Sequence, residues 1–224
     1  MTLPATIKGI LFDLDGTLVK LPNLDKFFDT LLVDVLQDYG IVVSSQEERL
    51  ALWHSGGDFE KVIRGWGIKD YGDFIHNFDE RDLIKRKRLA KEGVIRVFPD
   101  VTALPMLHEQ VKLGIVTNTP PVIASFEIEF FGLGQYFDDL VMLGTSEQHL
   151  AKPEPDGLHR CLRNLGVKEE HALMVGDSRS DILGGQNAGV ATVFVRRPNQ
   201  SEPRGLKVPP DLFIDDLHEL LDLL

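Results

Sequence analysis

The sequence is poor in several features that would mark particular classes of protein. Cys161 is the single cysteine, so no disulfide can form within the chain and we expect a reducing compartment. No apolar run approaches the ~20 residues that a membrane-spanning helix needs. Residues 1–8 show no charged leader and no long apolar segment, so we expect no signal peptide. These absences together favour a cytoplasmic location.

Positive charge is also scarce, with 24 Lys and Arg against 35 Asp and Glu, a formal net charge of −11. This balance argues against nucleic acid or an anionic membrane as a partner. An anionic substrate would need its charge met locally by a metal ion, a lysine or helix N-termini. The 224 residues are enough for one domain, or for a large and a small one.

The most informative segment is residues 10–19, where an apolar run ends in two carboxylates, Asp13 and Asp15, followed by Gly16. A buried strand with acids at its carboxyl end is typical of open α/β sheets, in which ligands bind beyond the strand ends. The alternative is that Asp15-Gly16 is an ordinary turn dipeptide with Asp13 solvated beside it.

A helical segment follows this strand. The spacing of apolar residues predicts four helices between about residues 23 and 91, with no strand among them. Gly40 can end the first helix, Ser45 and Glu48 have the spacing of a capping box, and Asp58 and Asp70 can cap the third and fourth. We therefore predict a helical-bundle unit at 19–95, inserted after the first strand.

From residue 97 onwards, short apolar runs alternate with helices, which predicts a parallel, doubly wound, Rossmann-like α/β core over 1–18 and 96–224. The predicted strands of this core are 7–12, 113–117, 140–143, 172–175, 192–195 and 212–214. Its predicted helices are 102–112, 121–131, 155–165, 180–188 and 217–223. The Pro- and Gly-rich stretch 197–210 is interpreted as a long surface loop.

Polar residues follow three of the later strands as well. Thr117-Asn118 ends the second strand of the core, Lys152 precedes its third helix, and Asp177 and Asp181 follow another strand. In a parallel sheet these strand ends face one edge, so the side chains should converge. Clustered carboxylates would repel one another unless a hard cation such as Mg²⁺ lay among them.

Such a site suits phosphoryl transfer. A hydroxyl, backbone N–H groups and a lysine can bind phosphate oxygens, and a carboxylate can attack phosphorus to form an aspartyl phosphate. A second carboxyl two residues away is placed to protonate the leaving oxygen and then to activate water.

Taken in order, these motifs resemble those of the haloacid dehalogenase-like hydrolase superfamily, in its phosphatase branch. The layout resembles the subfamily with a helical cap between the first and second motifs, as in phosphoglycolate phosphatases and β-phosphoglucomutases. The motifs that carry the resemblance are Asp13-Leu14-Asp15-Gly16-Thr17, Thr117-Asn118, Lys152-Pro153, and Gly176-Asp177 with Asp181.

The resemblance implies a role for each acid. Asp13 would be the nucleophile and a Mg²⁺ ligand, and Asp177 would bind Mg²⁺ directly. Asp15 would be the general acid/base and would offer its backbone carbonyl to the metal. Asp181 would act through water or by orienting its neighbours.

The resemblance also implies how phosphate is held. The Thr117 hydroxyl and the Asn118 backbone amide would hold the transferring phosphoryl group, and Lys152 would neutralise charge between it and the nucleophile. Supporting positions would be Gly16, Thr17, Gly176, Ser178 and Asp181.

Structural alternatives stay open for several of these residues. Thr117-Asn118, with two prolines soon after, also has the composition of a turn. Lys152 before proline is compatible with a surface position. Asp177 and Asp181 can both cap the helix that follows, Asp181 more readily.

Asp15 separates the branches of the family that the chain resembles. Family dehalogenases lack an acid at this position, and family phosphonatases typically carry a small residue there and use a cap lysine as a Schiff base. The acid therefore favours hydrolysis of a phosphate ester or anhydride.

The inserted helices would close the site and recognise the leaving group. Lys20-Leu21 stands where relatives often have Asp-Ser, so the cap hinge or the substrate entrance differs from theirs. The candidates for contact with the substrate are Lys20, His54, Lys61 and Arg64. The basic run 85–88 is interpreted as a solvated helix face.

The sequence thus predicts a Mg²⁺-dependent phosphatase of a small phosphorylated metabolite, a monomer or homodimer with no nucleic-acid or membrane partner. One alternative is a phosphomutase, which shields the aspartyl phosphate from water. Another is a receiver-like signalling module, although receivers generally lack the inserted cap and the second acid.

Overall fold

A computed structural model describes residues 3–54, 59–198 and 205–224. The strands are β1 (Gly9–Phe12), β2 (Val19–Lys20), β3 (Arg96–Val97), β4 (Lys112–Thr117), β5 (Asp139–Met142), β6 (Ala172–Gly176), β7 (Ala191–Val195) and β8 (Leu212–Ile214). The α-helices are α1 (Leu24–Asp38), α2 (Gln46–Leu50), α3 (Phe59–Gly65), α4 (Tyr71–Lys91), α5 (Leu104–His108), α6 (Pro121–Phe130), α7 (Asp156–Leu165) and α8 (Arg179–Ala188). The chain divides into two compact units, one of residues 1–20 and 96–224 and one of Leu21–Ile95.

Six parallel strands form the sheet of the first unit, in the order β5-β4-β1-β6-β7-β8. The central strand β1 has β4 on one side and β6 on the other, so the strand order reverses direction there. This is the topological switch point at which open α/β sheets bind ligands. The predicted doubly wound, Rossmann-like fold is confirmed.

The strands form because their residues are apolar on both faces. Every residue of β1, β6 and β7 is buried, as expected of parallel strands covered by helices. On α7, Leu158, Cys161 and Leu162 make one buried stripe that joins a core cluster with residues of the sheet. Cys161 is therefore a core residue, and burial raises the pKa of its thiol well above the ordinary value.

The second unit has its own core, in which buried side chains of α1, α3 and α4 pack together. Three of the residues predicted to begin or end helices do so in the structure. Ser45 and Asp70 accept backbone N–H groups at the starts of α2 and α4, and Gly40 follows α1 with a positive φ of 66°. Asp58, predicted to cap the third helix, lies outside the described residues.

One feature was not predicted, namely a short antiparallel ladder between β2 and β3. Val19 pairs with Val97 and Lys20 with Arg96. The ladder belongs to the first unit, which accounts for that unit extending to Lys20 rather than ending at residue 18.

Several local predictions need correction. The helix predicted over 102–112 is instead a 3₁₀ helix, Pro99–Ala103, followed by α5, and Lys112 belongs to β4. The last predicted helix has the predicted bounds, Leu217–Leu223, and is a 3₁₀ helix. Arg86 is 1% exposed and ion-paired with Asp82 at 3.0 Å, so the basic run is not wholly solvated.

Arg197 also departs from its prediction as a surface-loop residue, because it is 7% exposed. Within the part of the chain that the structure describes, no helix combines the length and apolarity needed to cross a membrane.

Candidate active site

Most of the polar side chains predicted to converge lie at the carboxyl ends of three neighbouring strands, whereas Lys152 precedes α7 and Asp181 lies in α8. Phe12, the last residue of β1, pairs with Ile115 of β4 and Val175 of β6. Asp13 therefore leaves the sheet beside Thr117, the end of β4, and Asp177, the residue after β6. The N–H of Asp13 donates to the carbonyl of Val175 at 3.0 Å, which holds the first acid against the neighbouring strand.

Three carboxylates form the centre of this edge. Asp13, Asp177 and Asp181 are 7%, 8% and 1% exposed, and one oxygen from each lies within 4.8 Å of the others. Three buried carboxylates at this spacing could hold a hard cation, because such ions take carboxylate oxygens as ligands. The side chain of Asp15 is not a member of this group.

Lys152 contacts two of the three carboxylates of the acid cluster. Its Nζ is 2.6 Å from Asp13 Oδ1 and 2.6 Å from Asp181 Oδ1, and it donates to the carbonyl of Val116 at 2.7 Å. Burial acts to lower the pKa of this lysine, but the two carboxylates raise it above its ordinary value. Lys152 is therefore a buried ammonium ion and not the surface residue of the alternative interpretation.

The electrostatics of Asp13 follow from the same arrangement. Burial is the largest cause that raises its pKa well above the ordinary value, and repulsion from Asp181 and Asp177 adds to it. The charge of Lys152 and its hydrogen bond act in the opposite direction. One ammonium ion thus leaves excess negative charge at the cluster, which a cation would offset.

The turn after Asp15 brings the backbone close to the cluster. Gly16 has a φ of 85°, and a Cβ at this position would lie 2.3 Å from Asp177 Oδ2. The next side chain, Thr17, is fully buried, with its hydroxyl 2.9 Å from Asp177 Oδ1 and 3.4 Å from Asp13 Oδ2. Only glycine meets both the conformation and the space at position 16.

Asp181 has two structural contacts besides its place in the cluster. Ser178 and Asp181 form a capping box at the start of α8, in which Asp181 Oδ2 accepts the Ser178 N–H at 3.0 Å. Its other oxygen accepts the hydrogen bond from Lys152. Gly176 makes room for it, since a Cβ there would lie 2.3 Å from Asp181 Cβ. Asp181 therefore caps α8, as the structural alternative predicted, and is at the same time a member of the acid cluster.

The segment after β4 connects the remaining parts of the site. Asn118 holds the Lys152 segment by its side chain, because its amide donates to the Lys152 carbonyl at 2.8 Å and accepts the Lys152 N–H at 2.9 Å. Thr117 Oγ1 accepts the N–H of Thr119 at 3.1 Å. The hydroxyl of Thr119 in turn donates to Asp15 Oδ2 at 2.9 Å.

Comparisons with known proteins agree with this geometry. The family model described as haloacid dehalogenase-like hydrolase matches residues 10–195. Pyrophosphatase PpaX of Halalkalibacterium halodurans is 30% identical, over 97% of this chain and 96% of the relative. The chain belongs to the haloacid dehalogenase-like hydrolase family. The predicted family and enzyme class are therefore confirmed.

Two further similarities extend over almost the whole hydrolase. The phosphoglycolate phosphatase of Pectobacterium atrosepticum is 28% identical, over 97% of this chain and 92% of the relative. The crystal structure of CbbY from Rhodobacter sphaeroides in complex with phosphate has a TM-score of 0.72 at 21% identity, covering 96% of each chain. At that identity the structural match supports the fold alone.

Sequence reasoning missed Thr119 as a residue of the candidate site. Its hydrogen bond to Asp15 joins positions 104 residues apart, and no local pattern predicts such a contact. The available signal was weak: a second hydroxyl two residues after Thr117, in the same polar turn.

The residues predicted to recognise the leaving group remain predictions. Lys20 lies in β2, and Lys61 and Arg64 are exposed residues of α3. The Arg64 guanidinium bonds to Glu60 at 2.8 Å and to the carbonyl of Lys69, so it is partly engaged within its own unit. The side chain of His54 lies outside the described residues.

Proposed function

We propose that this hydrolase is a Mg²⁺-dependent phosphatase that hydrolyses a small phosphorylated metabolite through a phosphoryl group carried on Asp13. The observation that carries the proposal is the buried contact of Lys152 with Asp13 beside two further carboxylates. A carboxylate cluster with a single ammonium ion suits both a divalent cation and a phosphate anion.

The residues present fit Mg²⁺. Asp13 and Asp177 offer carboxylate oxygens, and Gly16 leaves space beside Asp177 that a side chain would fill. We assign Asp13 and Asp177 as the direct ligands, with the backbone carbonyl of Asp15. Both oxygens of Asp181 already accept hydrogen bonds, so Asp181 acts by orienting Lys152. When bound, Mg²⁺ would supply charge neutralisation of the phosphate oxygens.

In the first step a carboxylate oxygen of Asp13 forms a bond to phosphorus as the bond to the leaving oxygen breaks. Lys152 and the Thr117 hydroxyl, with the backbone N–H of Asn118, would hold the phosphoryl oxygens. Lys152 also keeps Asp13 in place, because its ammonium group reaches the carboxylate and the Val116 carbonyl together.

Asp15 would move the protons. In its acid form it gives a proton to the leaving oxygen, and as a carboxylate it then takes a proton from the water that attacks the aspartyl phosphate. That attack breaks the bond between Asp13 and phosphorus, which releases phosphate and restores both carboxyl groups. Thr119 would fix the orientation of Asp15 for both transfers.

The names of relatives suggest which substrates to test. One relative is called a pyrophosphatase and another a phosphoglycolate phosphatase, so we infer that the substrate is a small phosphate ester or anhydride. Residues 21–95 would serve as a cap that excludes larger molecules, and Lys20, His54, Lys61 and Arg64 are the candidates for recognition. A cytoplasmic location and a monomeric or dimeric state are further parts of the proposal.

The experiment is phosphate release from p-nitrophenyl phosphate, inorganic pyrophosphate and 2-phosphoglycolate, with Mg²⁺ and with EDTA. We expect release by the wild-type protein with Mg²⁺ only, and no measurable release by Asp13→Asn. Asp215→Asn is a matched control, since Asp215 has 76% of its side chain exposed far along the chain from the motifs. It should behave as wild type.

Two results would contradict the proposal. Full activity in Asp13→Asn would remove the assigned nucleophile. Transfer of phosphate between positions of a sugar phosphate, without release, would favour the phosphomutase alternative instead.

A further inference from the structure

Arg197 lies two residues beyond β7, and its buried guanidinium has three partners from two other segments. Nη2 donates to the carbonyl oxygen of Thr17, and Nη1 lies 2.7 Å from Asp100 Oδ2. The guanidinium carbon also lies 4.0 Å from the ring centroid of Phe98. This set, which we call the Arg197 cluster, consists of Arg197, Thr17, Phe98 and Asp100.

The cluster flanks both strands of the β2–β3 ladder. Thr17 precedes β2 by two residues, and Phe98 directly follows β3. The N–H of Phe98 donates to the carbonyl of Leu18 at 3.0 Å, which joins the two passages of the chain directly. Asp100 Oδ2 also accepts the N–H of Leu217 at 2.9 Å, so the last 3₁₀ helix anchors the same carboxylate.

Thr17 connects this cluster to the acid cluster. Its carbonyl accepts the hydrogen bond from Arg197, and its hydroxyl lies 2.9 Å from Asp177. The path from the guanidinium to the candidate metal ligand therefore runs through one fully buried residue. A shift of the Thr17 backbone would move the hydroxyl, and with it the hydrogen bond that orients Asp177.

A purely stabilising role is a poor explanation for the pair. Arg197 and Asp100 have side chains that are 5% and 5% exposed, and buried ion pairs often contribute no more stability than apolar residues of similar volume. What arginine adds is a planar fork that bonds a carboxylate and a carbonyl in one fixed geometry.

We propose that Arg197, anchored by Asp100, is a positioning residue that fixes Thr17 and thereby the orientation of Asp177. The inference rests on the proposed function for its activity measurements. Groups that hydrogen-bond directly to metal ligands typically change metal affinity or activity by about 10- to 100-fold when removed. Thr17 is the direct partner of Asp177, and Arg197 acts through it, so we expect the lower end of this range.

The test compares Arg197→Ala and Arg197→Lys with a matched control, Arg196→Ala. Arg196 is the neighbouring arginine, with 43% of its side chain exposed and its guanidinium 4.6 Å from the Phe213 ring. We expect Arg197→Ala to lower kcat and to raise the Mg²⁺ concentration for half-maximal activity by about 10-fold, with little change in KM. Arg197→Lys keeps the charge without the fork and should fall between, and Arg196→Ala should match wild type.

Two readouts separate positioning from general stability: rescue of activity by added guanidinium ion, and comparison of the activity loss with the unfolded fraction. Added guanidinium ion at a few millimolar should restore activity to Arg197→Ala, because it can fill the vacated site, and should not affect Arg196→Ala. If Arg197→Ala does not fold, Asp100→Asn takes its place, since it keeps the shape and removes the anchoring charge. A folded variant with wild-type kcat and Mg²⁺ dependence, or a loss that matches the unfolded fraction and resists guanidinium, would overturn the inference.

A third readout is independent of turnover, namely the rise in melting temperature on adding Mg²⁺. It should be present in wild type and Arg196→Ala and reduced in the Arg197 variants. If wild type released no phosphate but its melting temperature rose with Mg²⁺, the proposed function would be wrong, and the variants would still test the positioning role. If wild type showed neither phosphate release nor this rise, both the metal site and the positioning role would be wrong.

Discussion

The hydroxyl of Thr119 donates a hydrogen bond of 2.9 Å to Asp15 Oδ2, which ties the turn after β4 to the acid that follows β1. Both residues lie in the first unit, and Thr119 is 8% exposed. The carboxyl proposed to protonate the leaving oxygen is thus oriented by the turn that follows a neighbouring strand of the sheet.

Thr119→Val removes this donor and keeps the shape of the side chain. We expect kcat to fall by about 10-fold with an alkyl phosphate and by less with p-nitrophenyl phosphate, because a good leaving group needs less protonation. Steady-state kinetics on both substrates measure the difference. Thr119→Ser keeps the hydroxyl and should retain most activity; an equal loss on both substrates would contradict the role in proton transfer.

Lys152→Met should destabilise the protein strongly. It leaves Asp13 and Asp181 buried with no ammonium ion, and removing one partner of a buried pair costs ~3–5 kcal/mol. Urea unfolding in EDTA measures the free energy. The double variant with Asp181→Asn should recover part of the loss, because one uncompensated charge is then gone. Additive losses would show that the two groups do not interact.

Gly16→Ala tests the close approach of the turn to Asp177. A Cβ would lie 2.3 Å from Asp177 Oδ2, so the carboxylate must move away. A displacement of about 1 Å can lower activity by about 100-fold. Gly189→Ala is the matched control, because Gly189 also has a positive φ, 74°, but nothing within 4 Å of its Cβ position.

Both glycine variants should lose ~1–2 kcal/mol of stability from the left-handed backbone conformation. Only Gly16→Ala should lose activity and the rise in melting temperature with Mg²⁺. Equal activity in the two variants would show that the space beside Asp177 is not needed.

Asp138→Asn should destabilise the protein in a pH-dependent way. Burial acts to raise the pKa of Asp138, but hydrogen bonds from Lys112 and from the Leu113 N–H, with nearby positive charge, bring it below the ordinary value of 3.8. Because the folded pKa is the lower one, the charged form contributes stability above the unfolded pKa, and this is lost as pH falls through the folded pKa.

Chemical unfolding at several pH values should therefore show a difference of ~1 kcal/mol between wild type and Asp138→Asn at neutral pH. The difference should shrink below about pH 4. A difference that stayed constant from pH 7 to pH 3 would mean that the charge of Asp138 contributes nothing.

The core of the fold could be predicted because buried parallel strands are nearly continuous apolar runs. The strand Leu212–Ile214 has the predicted bounds, four other sheet strands differ by one or two residues at one end, and Asp139–Met142 is shifted by one residue at both ends. The helix predicted over 102–112 ends early, at His108, and its last predicted residue, Lys112, instead begins β4 and pairs with Gly9 of β1. Strand pairing overrides the helical pattern at that residue.

Buried charges were beyond sequence reasoning for a different reason. The partners of Arg197 are 97 and 180 residues away along the chain, at Asp100 and Thr17. A charged residue beside proline and polar residues has the composition of a solvated loop, and nothing local reveals its partners. The contact of Thr119 with Asp15 was missed for the same reason. The convergence of Asp13 and Asp177 could be predicted from their places after strand ends, and that of Lys152 from its place just before a helix of the core.

The β2–β3 ladder brings residues 20 and 96 side by side, so the segment between them leaves and re-enters the core at one point. For the stability of the core, that segment is equivalent to a long loop whose two ends are already held together by the ladder. The entropy of closing a loop grows only with the logarithm of its length, each doubling adding about 0.6 kcal/mol. Segments of quite different size and architecture could therefore be exchanged there during evolution while the sheet and the polar residues at its edge stay as they are.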